Sequence, residues 1–247
     1  MTTAAPAAAG RSHGMGPLYR LFLKEIVSPG KLLLFGVLGL VGVLVGLLQY
    51  DDRTNDITDG VEFVNGFNLT LLVPVASLVL ASAALGDPNE DRTLVYIWLT
   101  PVSRLTLAMA AWLAAITVVV PLVTIPSALT GYAGTRATEG LIGAAVASAL
   151  AALAYCALFV ALGLRFKRSL LWGLVYILIW EGFVASIGGS VEKATIRAYS
   201  RSVLADLTDI DIEGAPVSLA WALAALAIVV VVSLGYTTWR LNHHDID

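Results

Sequence analysis

Glu181 is the residue of this chain whose type and position could do chemistry. It sits in Ile179-Trp180-Glu181-Gly182, a little past the middle of the apolar run Leu170–Ile187. A carboxylate at that depth in a hydrocarbon layer is costly unless it is paired or faces water. Two roles fit. It faces a central cavity, where it contacts cargo or closes a gate, or it hydrogen-bonds within the protein and packs helices together near the outer surface. A proton relay would need a chain of ionisable partners at depth, and Glu181 is the one carboxylate found there.

A second constellation lies between two other apolar runs, over Gly86–Arg104. Asp87-Pro88-Asn89-Glu90 reads as a helix start, with Asp87 as N-cap, Pro88 in the first turn and Glu90 where a capping box expects it. The helix is predicted to run to Trp98, and Thr100-Pro101 to end it. Its first turn carries Glu90, Asp91 and Arg92; its later face carries Leu94, Val95, Ile97 and Trp98. Such a helix can half-embed at the membrane surface and present its polar end to a partner.

Several chemistries are missing from the sequence. There is no G-x-x-x-x-G-K-[ST], so the chain does not bind ATP in the P-loop manner, and there is no H-E-x-x-H. His13, His243 and His244 lie in the tails, and no catalytic residue and no metal ligand set are predicted. Asp206, Asp209, Asp211 and Glu213 lack the glycine turn and spacing of a calcium loop and read as a solvated acidic segment. The single cysteine, Cys156, precludes an intrachain disulfide.

The elements that must position these residues are apolar helices. Hydrophobic residues make up 58% of the chain and charged residues 13%, against about 25% charged in a typical soluble domain. Six runs, Leu32–Leu48, Val64–Leu85, Leu105–Tyr132, Leu141–Leu164, Leu170–Ile187 and Val217–Trp239, reach or approach the roughly 20 residues needed to cross a bilayer. With no water available to unpaired amides, they must be helices. The predicted fold is an all-α polytopic integral membrane protein of one transmembrane domain, residues 16–247, preceded by a disordered tail over 1–15.

Lys and Arg collect on the cytoplasmic side of short loops. With the N-terminus inside, ten of the fifteen fall on inner segments: Arg11, Arg20, Lys24, Lys31, Arg92, Arg104, Arg165, Lys167, Arg168 and Arg240. Both termini are therefore placed in the cytoplasm, in keeping with an even number of spans. Gly16–Val27 puts Leu18, Leu21, Phe22 and Ile26 on one helical face and Arg20 and Lys24 on another, a pattern suited to the cytoplasmic interface. Ser28-Pro29-Gly30 breaks it before the first span. Val191–Glu213 carries an apolar stripe of Ile196, Tyr199, Val203, Leu207 and Ile210 beside a basic row of Lys193, Arg197 and Arg201, which predicts an outer interfacial helix. Gly42 and Gly46 form a GxxxG that permits close helix approach. Pro74, Pro121 and Pro126 are predicted to bend their spans.

Leu85-Gly86-Asp87, Glu90-Asp91-Arg92-Thr93-Leu94 and Leu99-Thr100-Pro101-Val102-Ser103-Arg104 resemble the loop after span two in permeases of the type-2 class of ABC transporters. The family pattern there runs E-x-R, then L-x-x-x-P-V-S-R. The fit is loose here: Asp91-Arg92 stands where the family often has Glu with Arg one or two positions later. The architecture resembles that family over essentially the whole chain. The resemblance implies that this loop contains a coupling helix docking on an ATPase through Asp87, Glu90, Asp91, Arg92, Leu94 and Trp98. The interfacial helix, with Arg20, Phe22 and Lys24, would share the motion. It further implies that spans two and five line a central path in the cell membrane, with Glu181, Trp180 and Pro74 on it. The partners implied are two copies of a nucleotide-binding ATPase subunit and a second permease copy or paralogue. ATP and Mg would be bound by the ATPase, with no cofactor in this chain, and the direction implied is export. A standalone secondary transporter, or a membrane anchor or assembly factor, is the competing reading. No repeat between residues 1–132 and 133–247 supports a secondary carrier.

Overall fold

The computed structural model describes residues 15–49, 57–90, 102–184, 194–212 and 217–243. Every regular element among them is helical. In chain order these are α1 (Met15–Ile26), α2 (Pro29–Gln49), α3 (Thr58–Phe63), a π-helical stretch Val64–Leu72, α4 (Val73–Ala81) and α5 (Ala83–Glu90). Then come α6 (Arg104–Thr135), α7 (Thr138–Arg165), α8 (Ser169–Val175), a second π-helical stretch Tyr176–Val184, α9 (Ile196–Thr208) and α10 (Leu219–His243).

Among the described residues, five helical segments are long and apolar enough to cross a membrane: Pro29–Leu48, Thr58–Pro88, Arg104–Thr135, Thr138–Arg165 and Leu219–His243. The predicted fifth span appears as a shorter apolar helix, Ser169–Phe183. The described part of this span ends at Val184; residues 185–193 lie outside the described residues. Span two begins earlier than its apolar run, at Thr58, because the helix takes in Asp59 and Glu62 before the hydrophobic stretch starts.

The spans sort into a centre and a periphery. In its most apolar window, span two is 78% buried and α7 61%, whereas α2 and α10 are only 22% buried. α7 is the axis: α6, α9, α10 and the α4–α5 half of span two all pack on it. Its buried face is built from Gly140, Gly143, Ala144, Ala147, Ser148, Ala151 and Ala154, small residues that let neighbouring backbones come close.

The contacts fix the directions. Gly60 meets Gly134 at one end of span two, and Gly86 meets Gly163 and Ser169 at the other. Consecutive spans thus run antiparallel. α1, the end of α5 and the turn from α7 to α8 gather at a basic end bearing Arg104, Arg165, Lys167 and Arg168; the opposite end carries α9.

Two expectations about helix packing are refined. The Gly42–Gly46 motif is used inside the chain. A Cβ on Gly42 would lie 2.7 Å from a ring carbon of Phe67, and one on Gly46 would lie 3.0 Å from the Thr130 carbonyl oxygen. α6 runs without interruption through Pro121 and Pro126. Pro74 stands in the first turn of α4, directly behind the first π-helical stretch, where a proline's missing N–H and its ring are most easily accommodated.

Candidate functional site

At the basic end, α1 packs against α5 and α6. It begins at Met15, one residue inside the segment assigned from sequence to the tail. Its apolar face turns into the protein: Leu18, Phe22 and Ile26 are buried in the core cluster, whereas Leu21 is exposed. The predicted apolar face is thus the one that packs on the protein, apart from Leu21. A protein surface of matching spacing covers Phe22, and Arg20 and Lys24 project from the exposed side. Tyr19 Oη donates to Thr117 Oγ1 at 3.1 Å, tying α1 to α6.

The predicted helix start at Asp87 is also corrected. Gly86 N–H donates to the Ser82 carbonyl at 2.7 Å, and α5 continues the helical path through Asp87 and Pro88 to Glu90. Asp87 is half-buried inside a helix that leaves the bilayer, where keeping backbone bonds internal outweighs the one bond Pro88 removes. Glu90 is the last residue of α5; Asp91, Arg92, Leu94 and Trp98 lie outside the described residues. The chain re-enters at Ser103, the N-cap of α6, whose side chain accepts from Thr106 N–H at 3.1 Å. This gives the serine of the Pro101-Val102-Ser103-Arg104 sequence a physical task.

The root of that loop is clamped by small residues. A Cβ on Gly163 would lie 2.7 Å from the Ser82 carbonyl oxygen and 3.1 Å from Gly86 N; one on Gly86 would lie 2.7 Å from Ser169 Oγ. Span two, α7 and the start of α8 therefore meet within a side chain's breadth where the loop departs. Ser82 and Gly163 were not singled out from sequence, because small residues are abundant throughout these spans, and Gly86 was quoted there only as part of the loop motif, with no packing role.

At the other end, Glu181 is 4% exposed and fully engaged. Its Oε1 accepts from Tyr176 Oη at 3.0 Å and from Ile196 N–H at 3.1 Å, and its Oε2 accepts from Arg197 N–H at 3.1 Å. The carboxylate thus satisfies the free amides at the start of α9, with the favourable sign for a helix N-terminus. Thr195 completes the cap by accepting from Ala198 N–H at 3.2 Å, and Trp180 Nε1 donates to the Ala194 carbonyl at 3.1 Å. Of the two roles weighed for Glu181, this geometry is that of the packing role. Tyr155, Phe159 and Tyr176 form a stacked and edge-on aromatic series behind it.

α9 is covered by protein on more than its apolar stripe. Ile196 and Val203 of its stripe are buried, but so are Ser200, Arg201 and Ser202. Lys193 lies outside the described residues, and Arg201, 8% exposed, donates through Nε to Asn65 Oδ1 at 3.2 Å. The predicted basic row is thus turned inward at Arg201. Gly143 of α7 makes room for α9: a Cβ there would lie 2.8 Å from Thr208 Cγ2. Asn65 was overlooked in the sequence, although an amide inside an apolar run is a signal of the same kind as Glu181.

Of the residues assigned to a path, Pro74 and Glu181 are buried within this chain, while Trp180 shares an exposed apolar face with Leu178, Ile179 and Phe183.

The arrangement has close packing of small residues at one end, directional polar ties at the other, and long apolar helices between. No curated protein matches the chain. The family described as ABC-2 family transporter protein matches residues 28–191, 164 of the 247 residues. The match runs from the break before α2 through the loop after span two to the end of span five, so the chain belongs to the ABC-2 transporter family and is a multi-pass membrane permease of an ABC transporter.

Proposed function

We propose that the chain is the membrane-spanning subunit of an ATP-driven exporter, forming the translocation path and taking its energy from a separate ATPase. One observation carries the reading: α1, the root of the loop after span two, and the turn from α7 to α8 converge at the basic end. A force applied to the loop there is delivered to two central spans at once. Two ATPase subunits would dock on that end, binding ATP and Mg, and a second copy of this chain or a similar one would complete the path. The basic end faces the cytoplasm with both termini, in the cell membrane, as the Lys/Arg distribution favours.

Replacing Glu90, Asp91 and Arg92 together with alanine is expected to abolish stimulation of the ATPase by cargo while the chain still inserts in the membrane. Unchanged stimulation would remove these residues from docking. Labelling of single cysteines in intact cells is expected to mark Asp209→Cys from outside and to reach Lys167→Cys only after permeabilisation; the reverse order would invert the topology.

A further inference from the structure

Two stretches among the described residues are wound as π-helix, Val64–Leu72 in span two and Tyr176–Val184 in span five. In a π-helix the backbone bonds run five residues back, and Val73 N–H indeed donates to the Asn68 carbonyl. Each stretch also has a polar side chain spanning the same five residues. Thr70 Oγ1 donates to the Asn65 carbonyl at 2.8 Å, and Tyr176 Oη donates to Glu181 Oε1 at 3.0 Å.

The residues at these pairs, Asn65 and Glu181, are the ones that α9 holds. Arg201 Nε donates to Asn65 Oδ1 at 3.2 Å, and the Ile196 and Arg197 amides donate to Glu181 at 3.1 Å each. Glu181 and Arg201 are both more than nine-tenths buried. One short helix therefore grips the π-wound part of two different spans.

We propose that α9 is a two-point latch that keeps spans two and five in π-helical winding, and that Asn65, Glu181 and Arg201 are positioning residues for transport. The consequence for function is geometric. One residue more or less in a helical turn rotates everything beyond it by about 100°. Release of the latch and rewinding to α-helix would change which side chains of the Trp180 and Phe183 face look towards the path. Because both spans are gripped by the same helix, they would rewind together. The functional part of this inference rests on the reading of the chain as a transport subunit; the latch itself does not.

Hydrogen–deuterium exchange on the purified full chain in lipid nanodiscs, without any ATPase, tests the latch. Asn65→Ala is expected to speed exchange in Tyr176–Val184, and Glu181→Gln to speed it in Val64–Leu72, each by at least about fivefold. Glu181→Gln keeps one acceptor oxygen and the side-chain shape, which guards against simple misfolding. Asn65→Asp keeps an oxygen for Arg201 and is expected to return both stretches to the parent rate. Faster exchange confined to the substituted stretch, faster exchange spread equally over α6 and α7, or no rescue by Asn65→Asp would each overturn the latch. Because no ATPase is present, loss of the proposed ATPase partnership leaves this readout unchanged, so the two ideas fail separately.

Discussion

At the basic end, span two is held by close packing of small residues: the Ser82 and Gly86 backbone lies against Gly163, and Gly86 against the Ser169 side chain. At the α9 end it is held by a hydrogen bond from Arg201 to Asn65, and the neighbouring span five by a carboxylate on two helix amides. The first kind of joint has no alternative partner arrangement. It is rigid because the packed atoms leave no room, and any added volume must push a backbone. The second kind is made of directional bonds between buried groups, which open without a large cost only where another donor or acceptor takes the place of the one lost. On the proposed reading, the first joint would lie where the ATPase acts and the second beside the path.

The comparison breaks most severely at Gly163. Gly163→Val places branched carbons against the Ser82 carbonyl oxygen and Gly86 N. Overpacking against side chains typically costs about 1–3 kcal/mol; here the obstacle is backbone, so a loss of about 3 kcal/mol or more is expected, read as a large drop in the thermal midpoint in detergent or as failure to accumulate in the membrane. A stable Gly163→Val protein would show that the basic-end joint is not tight.

Glu181→Ala comes next. It leaves the Ile196 and Arg197 amides and the Tyr176 hydroxyl short of an acceptor. A buried polar group stranded in this way costs about 1–3 kcal/mol, so a loss of about 2–3 kcal/mol is expected, with Glu181→Gln losing about half as much. Measured unfolding midpoints that rank Gln at or below Ala would refute the cap geometry. The contrast with Gly163 sharpens if Glu181→Ala can be recovered by ligands or lipids that supply an acceptor, as a polar joint permits.

The smallest effect is at Ser103. Removing its hydroxyl takes the cap from Thr106 N–H, and Ser103→Ala is expected to cost about 1 kcal/mol. The loss appears as faster amide exchange over the first turn of α6. No change there would mean that the loop leading into α6, and not the cap, sets the start of the helix.

Much of the fold is legible in the chain. The runs ending at Tyr132 and Leu164 become spans that stop within about three residues of those positions, because an apolar segment in a bilayer has no alternative to helix. The same logic marked Glu181 as a residue that must have partners. It did not say which, and the weight of the site shifted when α9 supplied them. Asp87 failed as a helix start for a related reason. Its local sequence is a good cap signal, yet the helix arriving from Ala83 was already formed and simply carried on. α1 shows the converse: its amphipathic pattern gave the buried face correctly at Leu18, Phe22 and Ile26, while periodicity alone does not distinguish lipid from protein as the cover.

Hydropathy and charge by themselves determined that this is a multi-span helical membrane protein, since the cost of burying unpaired backbone and charge in hydrocarbon is paid segment by segment. The loop motif after span two and the match over residues 28–191 add the family. Only the tertiary structure decided that Gly86, Gly163 and Ser169 form one joint and that Asn65 and Glu181, 116 positions apart, are held by the same helix. Those contacts depend on how helices dock. Docking is set by the fit of small residues on both partners, which no single segment of sequence contains.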